Sequence, residues 1–207
     1  IRAALKTAFE AEALAVDKKF PEAITKMKAA LRQLEDNFGR DNTGYAWLLA
    51  YLASMQLQQE LTQDVAATLK QSEKIFNDLG ESKSLHAAEL FNMKAIVADS
   101  EGDLETAIAN YQEALLISSS FLGLDHMDIR VVSTSLASAY SQKGDLDVAI
   151  KTQRRAQEIG VRILPPDVIE RMTDCRDLGV YLFNASKYLE AKAQLLESYR
   201  MLVANEF

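Results

Sequence analysis

The sequence predicts an all-α protein of ten helices in five antiparallel pairs, and three observations support this fold class. Helix breakers are scarce, with 8 Gly and 3 Pro in 207 residues, whereas strong helix formers such as Ala, Leu, Glu, Lys and Gln are plentiful. Small residues recur at a fixed step of 42 residues along the whole chain. Turn and capping residues fall between the segments that this step defines. A substantial β-sheet is therefore not expected.

The 42-residue step is clearest in two segments that share one pattern. GDLETAIANYQEAL begins at Gly102, and GDLDVAIKTQRRAQ begins at Gly144. Stepping by 42 residues from Ala107 in both directions reaches four more small or compact apolar residues, which are Ala23, Val65, Ala149 and Ala191. The repeat therefore fills the chain. Its five copies span about residues 4–42, 43–84, 85–126, 127–168 and 169–207 of one predicted domain, 1–207.

Two further series of small residues follow the same step. One lies in the first helix of each predicted pair: Ala11, Ala53, Ala95, Ala137 and Gly179. The other lies in the second helix: Ala30, Ser72, Ala114, Ala156 and Ser198. Antiparallel helices whose axes are about 8–10 Å apart need small side chains where they cross. Fourteen of the fifteen positions are small, Val65 being the exception, which predicts a close helix crossing in every repeat.

Larger residues are expected to fill the space around each crossing. Met27, Leu69, Tyr111 and Leu195 recur in the second helices, and Gln153 departs from this series. The first helices are predicted near residues 3–17, 43–58, 84–100, 127–142 and 167–184. The second helices are predicted near residues 20–37, 61–78, 103–120, 145–163 and 187–204.

Turn residues support these boundaries. Gly102 and Gly144 predict left-handed hairpin turns, after which Asp103 and Asp145 are placed to cap the second helices. Pro21 suits the first turn of the second helix in repeat one.

The loops give further signals. Asp167 and Glu170 have the spacing of a capping box, and His126 is placed to cap a helix or to sense pH. Repeat two departs from the pattern, because Glu60 and Leu61 stand where repeats three and four have Gly and Asp. We therefore expect a looser hairpin turn in repeat two.

One small residue on the first helix and two on the second resemble the tetratricopeptide repeat. The segment YQEALLISSSFLGLDHMDI, from Tyr111 to Ile129, is similar to the 42-residue variety found in kinesin light chains. The resemblance covers the whole chain and implies a right-handed superhelical solenoid. It also implies a non-catalytic scaffold whose first helices line a concave face that binds proteins or peptides. A regulatory module of a signalling or transcription protein is a typical setting for such a scaffold.

The resemblance places polar residues on the concave face. Asn92 resembles the asparagine that clamps a peptide backbone in related repeats, and the amides of Gln142 and Asn184 can bond a backbone of any sequence. Simple solvation of these side chains is the alternative. Trp47 and Phe183 either anchor a partner or fill the core. The predicted binding residues are Trp47, Ser54, Gln58, Asn92, Asp99, Thr134, Ser138, Gln142, Arg176 and Asn184.

Other chemistry is not expected. The formal charge of −7 disfavours nucleic acid as a partner, and no run of about 18 apolar residues predicts a membrane span. Arg176 is the only cation of the predicted face, so the Lys and Asn pairs of a carboxylate clamp are not matched. His86, His126 and Cys175 lack zinc-ligand spacing. We therefore predict no catalysis, cofactor or metal.

The last helix is predicted to expose an apolar face made of Leu195, Tyr199 and Leu202. Solenoids usually end in a polar helix, which leaves two interpretations of this face. The chain is excised from a longer protein, as its start at Ile1 without Met favours, or the face mediates self-association. Self-assembly into a homo-oligomer through the terminal helices is thus the alternative function. The single cysteine favours a reducing, cytoplasmic setting.

Overall fold

The computed structural model of the chain describes residues 2–59, 62–166 and 168–204, without the side chains of Thr62 and Gln63. These residues form ten α-helices and no strand. The helices are α1 (Arg2–Val16), α2 (Phe20–Phe38), α3 (Thr43–Leu57), α4 (Thr62–Asp78), α5 (Leu85–Ser100), α6 (Leu104–Leu122), α7 (Met127–Lys143), α8 (Leu146–Ile163), α9 (Ile169–Asn184) and α10 (Tyr188–Ala204). The ten predicted helices are confirmed, with every end within two residues of its predicted position.

The helices belong to two compact units, Ile1–Val97 and Ala98–Phe207. In the N-terminal unit, α1 packs on α2, α2 on α3 and α3 on α4. In the C-terminal unit, each helix from α6 to α10 packs on the next one along the chain. The second helices α2 and α8 therefore each contact both their own first helix and the next first helix.

The small residues at the predicted crossings are buried in all five repeats. Ala11, Ala53 and Ala137 have no exposed surface. Where serine replaces alanine, its hydroxyl ties the pair together: Ser72 donates to the carbonyl of Ala46 at 2.7 Å. Ser198 donates in the same way to the carbonyl of Met172 at 3.0 Å. The predicted close crossings are therefore confirmed.

Gly179 is the smallest of the crossing residues, and Leu195 explains why. A Cβ atom at position 179 would lie 2.7 Å from Cγ of Leu195 and 3.3 Å from its backbone nitrogen. These separations are shorter than van der Waals contact. The leucine of α10 thus occupies the space that an alanine methyl group fills in the other repeats.

Four hairpin turns in the described part of the chain contain a residue with a left-handed backbone conformation. Gly102 has a φ of 80° and Gly144 a φ of 93°, as predicted. The same step reaches Lys18 and Ser186, both with a φ of 60°. Non-glycine residues rarely adopt this conformation. Its recurrence shows that the turn geometry, and not only the glycine, belongs to the repeat.

The predicted helix caps are confirmed in part. Oδ1 of Asp103 accepts a hydrogen bond from the backbone nitrogen of Thr106 at 3.2 Å, and its bonds to Thr106 lower the pKa of Asp103. His126 caps α7 through Nδ1. The prediction for Asp145 is wrong, because its side chain makes no cap hydrogen bond and instead lies 3.6 Å from Nζ of Lys143.

Two predictions concern residues outside the described ranges. Glu60 and Leu61, on which the looser hairpin turn depends, lie there, and so does Asp167 of the predicted capping box. The helix that follows Asp167 begins at Ile169, with Val168 at its N-cap position.

A buried ion pair crosses the core of the C-terminal unit. Nη1 of Arg130 on α7 donates to both carboxylate oxygens of Asp174 on α9, at 2.8 and 2.9 Å. The two side chains are 7% and 1% exposed. The buried amide of Gln153 on α8 lies 3.4 Å from Oδ1 of Asp174. Burial raises the pKa of Asp174, although the guanidinium of Arg130 opposes that shift.

This polar cluster replaces apolar packing at several positions of the repeat. Asp174 stands where earlier repeats bury Leu48, Leu90 and Val132. Gly160 stands where Leu34 and Phe76 are buried, and a Cβ atom there would lie 2.9 Å from Oδ2 of Asp174. The changes are therefore coordinated: small Gly160 leaves the room that the carboxylate occupies.

Ala137→Leu tests the crossing constraint. Because Ala137 has no exposed surface, the larger side chain is expected to lower the free energy of unfolding by about 1–3 kcal/mol. Ala109→Leu is the control, since Ala109 is exposed on α6 and leucine is a good helix former. Urea unfolding followed by circular dichroism measures both, and an equal effect of the two changes would contradict the crossing constraint.

Arg130→Met tests the buried pair. It is expected to lower the free energy of unfolding by about 3–5 kcal/mol, because it leaves a buried carboxylate without its partner. Adding Asp174→Leu is expected to recover most of that loss. Arg176→Met is the control, because the Arg176–Asp177 pair has the same 2.8 Å separation but an exposed guanidinium, so the loss should stay below about 1 kcal/mol. Urea unfolding measures both single variants. Similar losses of unfolding free energy in the two would show that the buried pair stabilises the fold no more than the exposed pair does.

Candidate binding face

The ten predicted binding residues lie on or directly after α3, α5, α7 and α9, the first helices of repeats two to five. We call this set the first-helix face. Gln58, Gln142, Arg176 and Asn184 are exposed, and the other six residues are half-buried. The contacts of each residue decide which polar atoms remain able to bind a partner.

Trp47 packs between the first helices of the N-terminal unit. Its indole nitrogen donates to the carboxylate of Glu89 on α5. Its ring meets Tyr51 at a centroid distance of 4.9 Å and His86 at 5.5 Å, both in edge-on geometry. Trp47 also packs against the core of this unit. These contacts give Trp47 a packing role, with its only donor already engaged.

Two hydroxyl groups of the first-helix face are bonded to their own helices. Oγ of Ser54 donates to the carbonyl of Tyr51 at 2.7 Å. Oγ1 of Thr134 donates to the carbonyl of Arg130 at 3.1 Å. Such bonds use the hydroxyl hydrogen and leave the oxygen able to accept. Ser54 and Thr134 therefore offer acceptors and not donors.

Asn92 and Asn184 keep their full hydrogen-bonding capacity. Asn92 is half-buried on α5, and Asn184 is exposed at the end of α9. Neither side chain hydrogen-bonds to another residue in the described part of the chain. Each amide offers two donor hydrogens and one acceptor oxygen.

A short hydrogen-bonded chain links α5 and α7 within the C-terminal unit. Nε2 of Gln142 donates to Oδ1 of Asp99 at 3.2 Å and lies 3.4 Å from Oγ of Ser138. Asp99 also lies near the phenol of Tyr111 on α6. Burial, with a contribution from the Asp99 charge, raises the pKa of Tyr111 to about 12. The structure thus brings together three of the predicted binding residues.

The C-terminal end of the face contains one cation and one exposed aromatic ring. Arg176 pairs with the neighbouring Asp177, with Nη2 2.8 Å from Oδ1, so the positive charge is locally balanced. Phe183 is 57% exposed and meets the ring of Tyr188 edge-on at 5.5 Å. Of the two aromatic candidates, Phe183 has the more accessible ring.

Two features were missed in the sequence. Glu89 stands one 42-residue step after Trp47, so the two residues occupy equivalent positions on neighbouring first helices. The repeat spacing could therefore have indicated the hydrogen bond between them. Arg130 occupies a position that is alanine in the earlier repeats, and Asp174 occupies one that is leucine or valine in repeats two to four. Only Gln153 of that cluster was recognised as a departure from the pattern.

Three further observations concern metal binding, membrane insertion and the single cysteine. In the described ranges, no three His, Cys, Asp or Glu side chains are grouped so that they could hold a metal ion. No helix in those ranges has the length and apolar character needed to cross a membrane. Cys175 is buried and free, and burial raises the pKa of its thiol.

Comparison with known proteins matches part of the chain to a family. Residues 86–160 match the family model described as tetratricopeptide repeat. The predicted resemblance to tetratricopeptide repeats of the kinesin-light-chain-like kind and the all-α fold class are both confirmed. No curated protein matches the chain in sequence.

Several solved structures share the fold of this chain. BtubC (BKLC) from P. vanneervenii is 20% identical with a TM-score of 0.83, over 94% of this chain and 77% of that chain. A putative kinesin light chain with TPR-like repeats from Podosopora anserina is 14% identical with a TM-score of 0.78, over 96% and 94%. MamA 41-end from Desulfovibrio magneticus RS-1 is 11% identical with a TM-score of 0.67, over 99% and 97%. The fold is that of a repeat-protein scaffold, a class that typically binds other proteins.

Proposed function

We propose that this protein is a non-catalytic scaffold that binds an extended peptide or protein segment along the first-helix face. The side chain of Asn92 carries the proposal. It is half-buried on α5 and has no hydrogen-bond partner among the described residues. A carboxamide in this situation can donate to one peptide carbonyl and accept from a peptide N–H group. Such bonds hold a backbone without requiring one sequence.

Gln142 supplies a second backbone contact in the C-terminal unit. Its two amide hydrogens are directed to Asp99 and Ser138, which fixes the orientation of the side chain. Its Oε1 atom accepts no hydrogen bond from another described residue and is available to a peptide N–H group. The oxygen of Thr134 adds a further acceptor in the C-terminal unit, and that of Ser54 adds one in the N-terminal unit.

Charge favours a neutral or basic partner segment. Asp99 and Glu89 lie on the first helices, whereas the charge of Arg176 is balanced by Asp177. The formal charge of the whole chain is −7, which opposes the approach of nucleic acid and favours encounter with basic segments. A regulatory module of a cytoplasmic signalling or transcription protein is the setting that we infer from the kind of repeat.

Removing the two amides tests the proposal. Wild type is used to select a binding peptide from a random 15-residue phage library, and fluorescence anisotropy then measures its dissociation constant. Affinities of roughly micromolar, about −8 kcal/mol, are expected for such grooves. Asn92→Ala with Gln142→Ala is expected to weaken binding by roughly 10- to 2,000-fold, because each of the three lost hydrogen bonds contributes about 0.5–1.5 kcal/mol.

Asn77→Ala with Asn110→Ala is the matched control for this test. It also removes two carboxamides, one from each unit, but from the second helices α4 and α6. The control is expected to bind as wild type does. Equal affinity of the two double variants for the selected peptide would reject the first-helix face as the binding site.

A further inference from the structure

A groove of about 360 Å³ lies between the second helices α2 and α4 of the N-terminal unit. The first helix α3 forms its floor, where Leu49, Leu52 and Gln56 are buried. Lys28 and Arg32 of α2 are exposed on one wall. Helices of the same unit form both walls, and no residue of the first-helix face lines the groove. The groove is therefore a separate surface from the proposed peptide site.

A buried carboxamide at the floor points to a ligand. Gln56 is 3% exposed, and its Oε1 accepts a hydrogen bond from the hydroxyl of Thr68 at 3.0 Å. Its Nε2 group donates to no other described residue. A buried amide without an acceptor is costly. A ligand in the groove can supply that acceptor through a carbonyl or carboxylate oxygen.

The repeat itself does not require an amide at this position. The 42-residue step places these residues at the position of Gln56 in the other repeats: Leu14, Ala98, Tyr140 and Leu182. Leu182 is fully buried there, so an apolar side chain is sufficient for packing. The carboxamide of Gln56 thus adds polar chemistry to a place that the fold can fill without it.

The equivalent groove of the C-terminal unit shows how the N-terminal groove differs. Three repeat steps later, α8 and α10 form the walls of a groove of about 190 Å³ whose floor is α9. An ion pair between Arg154 and Glu190 joins those walls. Lys28 and Asp64 occupy the equivalent positions, but they form no ion pair with each other or with another described residue. The N-terminal groove is therefore larger, and its walls are not joined at this point.

The charges of the N-terminal groove favour an acidic ligand. Arg32, like Lys28, forms no ion pair with another described residue. Of the acids in the lining, Glu35 pairs with Arg40 at 2.7 Å. Asp64 lies in the first turn of α4, where the helix dipole stabilises a negative charge. Lys28 and Arg32 are thus the charges that a ligand can balance.

We propose that this groove binds an extended segment of a partner protein with the pattern acidic–apolar–acidic. Lys28 and Arg32 are four residues apart on a helix, which separates them by about 6 Å along its axis. Alternate residues of an extended chain are about 6.6 Å apart and project to the same side, so two acidic side chains reach both cations. The apolar residue between them projects into the groove and packs on Leu49 and Leu52. A backbone carbonyl accepts from Nε2 of Gln56.

Titration with short peptides, followed by amide NMR of the nitrogen-15-labelled protein, tests the proposal. The probe is acetyl-Gly-Glu-Leu-Glu-Gly-amide, and the matched peptide has lysine in place of both glutamates. The acidic peptide is expected to shift the backbone amide signals of Leu49, Leu52 and Thr68, with a dissociation constant of about 1 mM or lower. The lysine peptide is expected to leave them unchanged. Absence of these shifts at millimolar acidic peptide, or equal shifts with both peptides, overturns the proposal.

Lys28→Gln with Arg32→Gln tests the cationic wall. This double variant is expected to raise the dissociation constant of the acidic peptide at least about fivefold, because both carboxylates lose a charged partner. Lys70→Gln with Lys74→Gln is the matched control, since these lysines occupy the equivalent positions one repeat later and do not line the groove. The control is expected to stay within about twofold of wild type. Equal weakening by both double variants would reduce the effect to overall charge and overturn the proposal.

Gln56→Leu tests the buried amide. The fold is expected to tolerate this change, because Leu14 and Leu182 stand at the same position of other repeats, and thermal unfolding followed by circular dichroism checks this. The variant is expected to raise the dissociation constant of the acidic peptide by about two- to tenfold, since one hydrogen bond is lost. Wild-type affinity in a folded Gln56→Leu variant would contradict the floor contact and with it the proposed site.

Discussion

The close crossing of two helices in each repeat is the constraint on which the rest of the structure depends. Ala11, Ala53 and Ala137 are fully buried where the helices meet, so we expect a larger side chain there to displace a helix axis. At Gly179 even a methyl group is too large, because Leu195 already fills the space that it would need. Since the crossings recur every 42 residues, successive first helices present equivalent positions to solvent.

The close crossings also determine which helix surfaces are used for packing inside the chain and which remain exposed. A second helix such as α8 packs on the first helices before and after it, so its apolar positions are used inside the chain. The outward positions of the first helices remain, and there Asn92 and Gln142 hold amide groups suited to a peptide backbone. The outer side of α10 also remains exposed, and Leu195 and Tyr199 make it apolar. The two surfaces therefore differ in chemistry.

The sequence predicted the repeat, the helices and the crossings because these depend on short-range periodicity and on residue size. It did not predict interactions that depend on side-chain orientation. Asp103 and Asp145 occupy equivalent positions, yet only Asp103 bonds its helix N-terminus. The pair between Arg130 and Asp174 joins residues from two repeats, and no single position signals it. The availability of Asn92 likewise depends on its neighbours, which periodicity does not describe.

Hydrogen–deuterium exchange, measured with and without the selected peptide, most directly tests whether partners bind to the first helices. Binding slows exchange where it suppresses local opening of the helices that are contacted. The proposed site predicts slower exchange in α5 (Leu85–Ser100) and α7 (Met127–Lys143), with unchanged exchange in α4 and α6. Protection confined to the second helices or to α10 would contradict it.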